Sequence, residues 1–329
     1  MSLEEKLGQL FMATHNDDVA NGEIITLIKH YHISGVFLDL DDLKNREKIS
    51  AMNRYLQFYA SNQKPLFIAT DQTVDITTDV EELVSMPEEV TLHQLNNRLY
   101  TKELAEVIGQ EFREMGINSF YYPNLYVDNH LNLRNEVNPV ARHGEAIVQG
   151  MKQSEVISFV TGFPSDLEID NSINPDSRKS NLYPFYGVFQ RGADVISIAE
   201  ISERIIYEQI RTRLKFENVI VYELTDRFTT TSDISQHIID AINNGANMIM
   251  LPFSYDKQIQ ILNKVIELAK LGEVDSRAIN ESLTKLFELK EKYNLNELGL
   301  PRRPLTDHQI ANVKGKIVKK FKNDMILTD

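Results

Sequence analysis

The chain has no cysteine, which removes disulfides and thiolate chemistry but leaves the compartment open. Glycine and proline are scarce as well: 14 and 10 in 329 residues, too few for a low-complexity or disordered chain. Positive charge is in deficit, with 35 Lys and Arg against 48 Asp and Glu and a formal balance of −13. That balance repels nucleic-acid phosphates, so no nucleic-acid partner is expected. It is no obstacle to a neutral ligand such as a sugar. No apolar run approaches the ~18 residues that cross a bilayer, so membrane insertion is not expected either. The opening "MSLEEKLGQLFMATH" carries acids where a signal peptide carries lysines, and the expected location is cytoplasmic.

Hydrophobic residues make up 42% of the chain, enough for a sizeable core. They fall into short β-branched runs at 7–14, 34–40, 65–71, 117–125, 156–162, 193–200, 218–224 and 246–252. These runs are nearly continuous rather than alternating, the mark of strands buried on both faces of a parallel sheet. Segments of helical period separate most of them: "GEIITLIKHYH" (22–32), "TKELAEVIGQEFREMG" (101–116), "SDISQHIIDAINNGA" (232–246) and "SYDKQIQILNKVIELAKLG" (254–272). Gly116 and Gly245 sit where helix C-caps belong. Eight strands alternating with helices predict an α/β fold, a (β/α)8 TIM-type barrel. With no linker, repeat or low-complexity tract, residues 1–329 read as one domain, with closing C-terminal helices from about 275. The last helix is basic on one face, which reads as a solvated surface.

In such a barrel the strand C-termini line the functional site. The polar residues there are Asp39, Asp71, Asn124, Asp128, Thr161, Asp166, Glu200, Glu223 and Asp226. Asp71 ends "PLFIATD", where it serves either as a turn starter or as a binding carboxylate. A ring of carboxylates with few cations suits sugar hydroxyls, oxocarbenium-like charge or a metal. No strand end supplies a histidine, so a metal site is not expected and sugar is the better reading. Tyr121 and Tyr122 lie within a strand and read as core or barrel wall.

The fragments "SLEEKLGQLFM", "PLFIATDQ", "IGQEFREMGIN", "GFP", "FENVIVYEL" and "GEVDSRAINESLTKLFELKEKYNL" occur in an order and spacing that resemble a known family. It is the barrel domain of glycoside hydrolase family 3, in particular the bacterial single-domain β-N-acetylglucosaminidases of cell-wall recycling. The resemblance implies a small carbohydrate or glycan fragment as ligand, and no cofactor. In the family the third strand ends in Asp-Gln followed by Glu-Gly-Gly, and that Asp grips the terminal sugar. Asp71 and Gln72 match, while Thr73 and Val74 replace the Glu and first Gly. Arg134, in "NLRNEVNP", matches the substrate-binding arginine, and Asp128 joins the expected substrate-binding set.

The catalytic motifs depart further. The family's Lys-His-Phe-Pro-Gly-His appears as "TGFPSD", with Thr161 and Gly162 in place of the Lys and first His. The loop that carries an Asp-Ser-His acid/base in the recycling enzymes has Asp170 here, and no histidine occurs from 144 to 236. Glu200 replaces the sixth-strand histidine, and "VIVYE" aligns Glu223 with the nucleophilic Asp of "VIVTD". Glu is longer than Asp by one methylene, and misplacement by about 1 Å costs on the order of a hundredfold in rate. Loss of the acid/base histidine removes a further ~10²–10⁴. Asp166, Asp170 or Glu200 can substitute as acid where burial raises its pKa, though the favoured reading of each is a solvated or salt-bridged acid. Two readings follow. The chain is either a glycosidase acting on a terminal β-linked sugar such as N-acetylglucosamine, with impaired or altered catalysis, or an inactive relative that binds a glycan or a protein partner.

Overall fold

The computed structural model describes residues 1–40, 45–60, 64–71, 73–74, 86–87, 97–126, 137–163, 171–199, 204–224, 230–295 and 303–326. Its centre is a closed barrel of eight strands, all parallel, in the order β1-β10-β9-β8-β7-β6-β3-β2. These are β1 (Phe11–His15), β2 (Gly35–Leu38), β3 (Phe67–Thr70), β6 (Ser119–Phe120), β7 (Ile157–Phe163), β8 (Val195–Ile198), β9 (Val219–Glu223) and β10 (Met248–Leu251). A separate two-stranded piece, β4 (Thr73–Val74) with β5 (Met86–Pro87), follows β3. The expected TIM-type barrel is present.

Helices Gly22–His30, Arg46–Tyr59, Arg98–Glu114, Val137–Gln153, Tyr183–Gln190 and Thr231–Asn243 connect the strands, and Tyr255–Lys270 and Ser276–Lys292 follow the last one. Between β8 and β9, Arg204–Arg213 forms the wider turns of a π-helix. Side chains start several of these helices by accepting first-turn N–H groups: Asn21, Asn97, Thr230 and Asp275. Gly116, at φ +79°, ends Arg98–Glu114 in the left-handed conformation that favours glycine.

Two expected strands change. Residues 7–14 do not form one strand: Leu3–Gly8 is a helix, and β1 runs from Phe11 to His15, so against expectation one strand does end on a histidine. Ser2 and Glu5 cap that helix reciprocally, and Leu3 and Leu7, one turn apart, turn the same way into the core. Within 117–125 only Ser119–Phe120 pairs as regular strand, followed by an isolated bridge from Asn124 to Thr161. Pro123 has no N–H to offer a ladder.

Alternation along the strands sorts the side chains. Phe67 and Phe159 face each other inside the barrel with ring centroids 6.5 Å apart, and Tyr121 meets Phe37 at 5.1 Å. On the outer face Phe120 packs on Phe112 of a surrounding helix and Tyr222 on His237. Tyr222 therefore points outward, and its neighbours Val221 and Glu223 point inward. The closing helices seal the other end. Lys290, on Ser276–Lys292, is buried under the first residue of β3, its Nζ 4.9 Å from the Phe67 ring centre. The helix Asp307–Ile326 docks through Lys314 on Glu111, and Leu305 exchanges two hydrogen bonds with Gln110 just before it.

Candidate active site

Glu223 is the last residue of β9, and the inward phase of that strand carries its carboxylate to the barrel mouth. Ser197, two residues lower in register on neighbouring β8, donates its hydroxyl to Glu223 Oε1. Below both lies Tyr121, buried against Phe37 and Phe159, with its hydroxyl donating to Met12 Sδ at 3.6 Å. Three aromatic rings and a thioether thus form an apolar floor, and one hydroxyl reaches up from it to one carboxylate.

Such a floor is a poor solvent for charge. Burial raises the pKa of Glu223 above the ordinary carboxylate range; Asp71 adds repulsion, and the Ser197 hydrogen bond opposes both. Asp71, one residue beyond β3, keeps an exposed face. The barrel wall beside it nevertheless desolvates its carboxyl, which raises its pKa; a backbone hydrogen bond opposes, and nearby Asp39 raises it further. Burial also lifts the Tyr121 hydroxyl well above its usual value, with Glu223 and Asp71 pushing the same way. Glu223, Asp71, Asp39, Tyr121 and Ser197 therefore form one electrostatic cluster at the carboxyl ends of β2, β3, β8 and β9. Repelling carboxylates over an apolar floor attract hydrogen-bond donors and developing positive charge, as hydroxyls and an oxocarbenium-like centre provide.

Of the residues expected from sequence, the structure brings Glu223 and Asp71 together and puts half-buried Thr161 on the inward face of β7. Gln72, Asp128, Arg134, Asp166, Asp170 and Glu200 lie outside the described residues. Thr161 sits on an irregularity: the register with β8 shifts between Val160 and Phe163. Gly162 there has φ +87°, and a Cβ built on it would collide with Asn124 Oδ1 and the Tyr126 backbone nitrogen. No side chain stands at Gly162 in this backbone unless Asn124 and the Tyr126 segment shift. Ser197 and Tyr121 carried no site signal in the sequence. A serine inside an apolar strand and a tyrosine inside "SFYYP" read as core until register sets them under Glu223.

Among the described residues no group of three or more His, Asp or Glu is placed to hold a metal ion, and no helix is long and apolar enough to cross a membrane.

Fold and mouth together define an α/β barrel with two carboxylates, Glu223 and Asp71, over the strand C-termini. The model of the glycosyl hydrolase family 3 N terminal domain matches residues 2–289, and the chain belongs to that family. Beta-hexosaminidase A of Pseudoalteromonas piscicida is 22% identical, over 82% of this chain and 55% of its own length. A second relative, the beta-N-acetylglucosaminidase/beta-glucosidase of Cellulomonas fimi, is 21% identical over 90% of this chain and 58% of its own. The chain thus spans little more than half the length of these curated relatives. A solved family 3 beta-N-acetylglucosaminidase from a Paenibacillus species superposes with a TM-score of 0.80 at 23% identity, covering 97% of this chain and 69% of that one. Beta-N-acetylhexosaminidase from Beutenbergia cavernae gives 0.71 at 18% identity, covering 88% of this chain and 99% of that one.

Proposed function

We propose that this family 3 barrel takes the terminal β-linked sugar of a glycan fragment, such as N-acetylglucosamine, at the mouth bounded by Asp71, Thr161 and Glu223. Asp71 and Gln72 hold sugar hydroxyls, with Asp128 and Arg134 as further substrate contacts, and Glu223 stands in the nucleophile position. Asp166, Asp170 and Glu200 are the candidate acids. Hydrolysis is slow, because no histidine fills the acid/base role and the nucleophile is one methylene longer than the family's Asp. A cytoplasmic place in the recycling of cell-wall fragments is the corresponding setting.

The observation that carries this reading is Glu223 turned inward, gripped by Ser197 and within electrostatic reach of Asp71. A retaining mechanism needs a nucleophile and an acid/base about 5–5.5 Å apart. Ser197 favours the ionised form the nucleophile needs, while burial withholds it. The shifted register of β7, with no room for a side chain at Gly162, favours the second reading, a relative that binds sugar without turnover.

The test is hydrolysis of 4-nitrophenyl β-N-acetylglucosaminide beside calorimetric binding of N-acetylglucosamine. We expect measurable binding that Asp71→Asn weakens at least tenfold. Turnover should be weak, and Glu223→Gln should abolish it. Binding with no turnover in the parent protein selects the second reading. Sugar affinity unchanged by Asp71→Asn removes the site from this mouth.

A further inference from the structure

Glu223 differs from an Asp at the same position by one methylene, which adds reach and one more rotatable bond. A free Glu side chain scatters its carboxylate over several rotamers. Here one oxygen is tied, because Ser197 on β8 donates its hydroxyl to Oε1. Ser197 pairs in register with Val221, two residues before Glu223, so the tie draws the carboxylate back along the strand toward the barrel floor. A longer arm folded back by a lower anchor brings its end nearer to where a shorter arm would stand. Ser197 is only 2% exposed, whereas Glu223 keeps part of its surface open. A ligand in the mouth therefore meets Glu223 and not the serine.

The groups around the pair give the carboxylate no comparable hold. Asp71, just beyond β3, repels it, and Asp39, just beyond β2, acts in turn on Asp71. Tyr121, on the floor, directs its hydroxyl to Met12 Sδ. Opposite Glu223, β10 sets Met250, and β7 brings Thr161 on its inward face. His15 ends β1 on the outward phase, bonded to the Val19 carbonyl, and burial lowers its pKa. Among the described residues, burial and Asp71 oppose the charge of Glu223 and the Ser197 hydroxyl favours it.

We infer that Ser197 is the positioning residue of Glu223: it anchors Oε1 near the floor, leaves Oε2 to face the sugar, and offsets the length of the added methylene. The inference rests on the reading of Glu223 as nucleophile and names the group that makes a Glu serviceable there. Ser197 itself touches no substrate and acts through the carboxylate it holds. Misplacement of a reacting atom by about 1 Å costs on the order of a hundredfold in rate, so the anchor bears on turnover more than on the fold.

Titration of Glu223 in the full chain, followed by carbon NMR with isotope-labelled glutamate, tests this without needing turnover. The resonance is identified by its loss in Glu223→Gln. Ser197→Ala should move the Glu223 midpoint up by at least about half a pH unit, because the donor to the ionised form is gone. Ser197→Thr keeps a hydroxyl and should stay within about 0.2 of the parent. Ser197→Val, nearly isosteric with threonine, should behave as the alanine variant does. The Thr and Val pair decides the matter if Ser197→Ala folds poorly. Against 4-nitrophenyl β-N-acetylglucosaminide, Ser197→Ala should lower kcat at least about tenfold with KM within about threefold, and move the acid limb of the pH profile upward. A midpoint that ignores Ser197→Ala, or that the Thr and Val variants move alike, overturns the proposal. So does a kcat that Ser197→Ala leaves unchanged. No turnover in the parent, with the midpoint still obeying Ser197, overturns the glycosidase reading and leaves the anchor standing.

Discussion

Glu223 is held by a hydroxyl, pressed by a carboxylate and floored by aromatic rings, and the balance of these forces fixes how the fold responds to its charge. Its pKa is raised in the folded state, by burial first and by Asp71 in addition. The folded protein therefore holds the Glu223 proton more tightly than the unfolded chain does. That contribution to stability is full below the unfolded carboxylate value and is lost as pH rises through the folded one. Glu223→Gln keeps an acceptor for Ser197 and removes the charge. It should raise the melting temperature by roughly 1–4 °C near neutral pH and by nothing below about pH 4, measured by circular dichroism. An unchanged or lower melting temperature near neutral pH would mean that Ser197 outweighs burial at this carboxylate. The chemistry has a matching expectation. Glu223→Asp restores the family's nucleophile length but supplies no acid, so 4-nitrophenyl β-N-acetylglucosaminide turnover should stay within about tenfold of the parent. A rise of a hundredfold or more would reveal an acid already in place, with Asp166, Asp170 and Glu200 the first to substitute.

The strand β7 explains why the family's Lys-His pair cannot be returned by side-chain exchange alone. Its ladder slips after Val160, and Gly162 at φ +87° lies against the backbone nitrogen of Tyr126. A side chain at Gly162 meets both the left-handed backbone cost and the collision. Gly162→Ala should thus destabilise the fold by roughly 1–3 kcal/mol, read from denaturant midpoints at unchanged slope. Thr161→Lys with Gly162→His, which writes the family pair into this backbone, should melt lower still and gain no activity. If that double variant were as stable as its parent, the slip in β7 would be adjustable and the loss of the pair merely local. Sequence could not foresee the slip, because "VTGF" is as apolar and β-branched as a regular strand. It did foresee the barrel: both-face burial writes itself as continuous runs of Val, Ile and Phe, and helix ends write themselves as Asn, Asp and Gly. Where a side chain's role depends on register across strands, as for Ser197 beneath Glu223, no pattern along the chain encodes it.

The two ends of the barrel pose opposite electrostatic problems, and the pH dependence of the whole molecule combines them. Raised carboxylate pKa values at the mouth make the fold less stable as pH climbs through the acid range. At the closed end Lys290 is buried between Phe67 and Phe287, with Gln9 Oε1 at 3.2 Å accepting from its ammonium. Burial, with Lys64 adding repulsion, lowers its pKa from 10.5 to about 7. Here the unfolded chain binds the proton more tightly. Between about 7 and 10.5 the unfolded lysine is charged while the folded one is increasingly neutral, so stability rises with pH across that window. Below it both states are charged and the burial penalty is present in full. Lys290→Met fills similar space without the charge and leaves Gln9 Oε1 without that donor, a loss of about 1 kcal/mol. The relief of the buried ammonium outweighs that loss, so the variant should be more stable than the parent by roughly 1–3 kcal/mol below neutral pH. Its advantage should shrink steadily from about pH 7 and vanish or reverse by about pH 10.5, since only the parent gains there. Urea denaturation of both proteins at four or five pH values reads this difference directly. A constant difference across the window would mean that the lysine keeps its ordinary affinity for the proton, held by water at the barrel floor rather than by Gln9 and two aromatic rings.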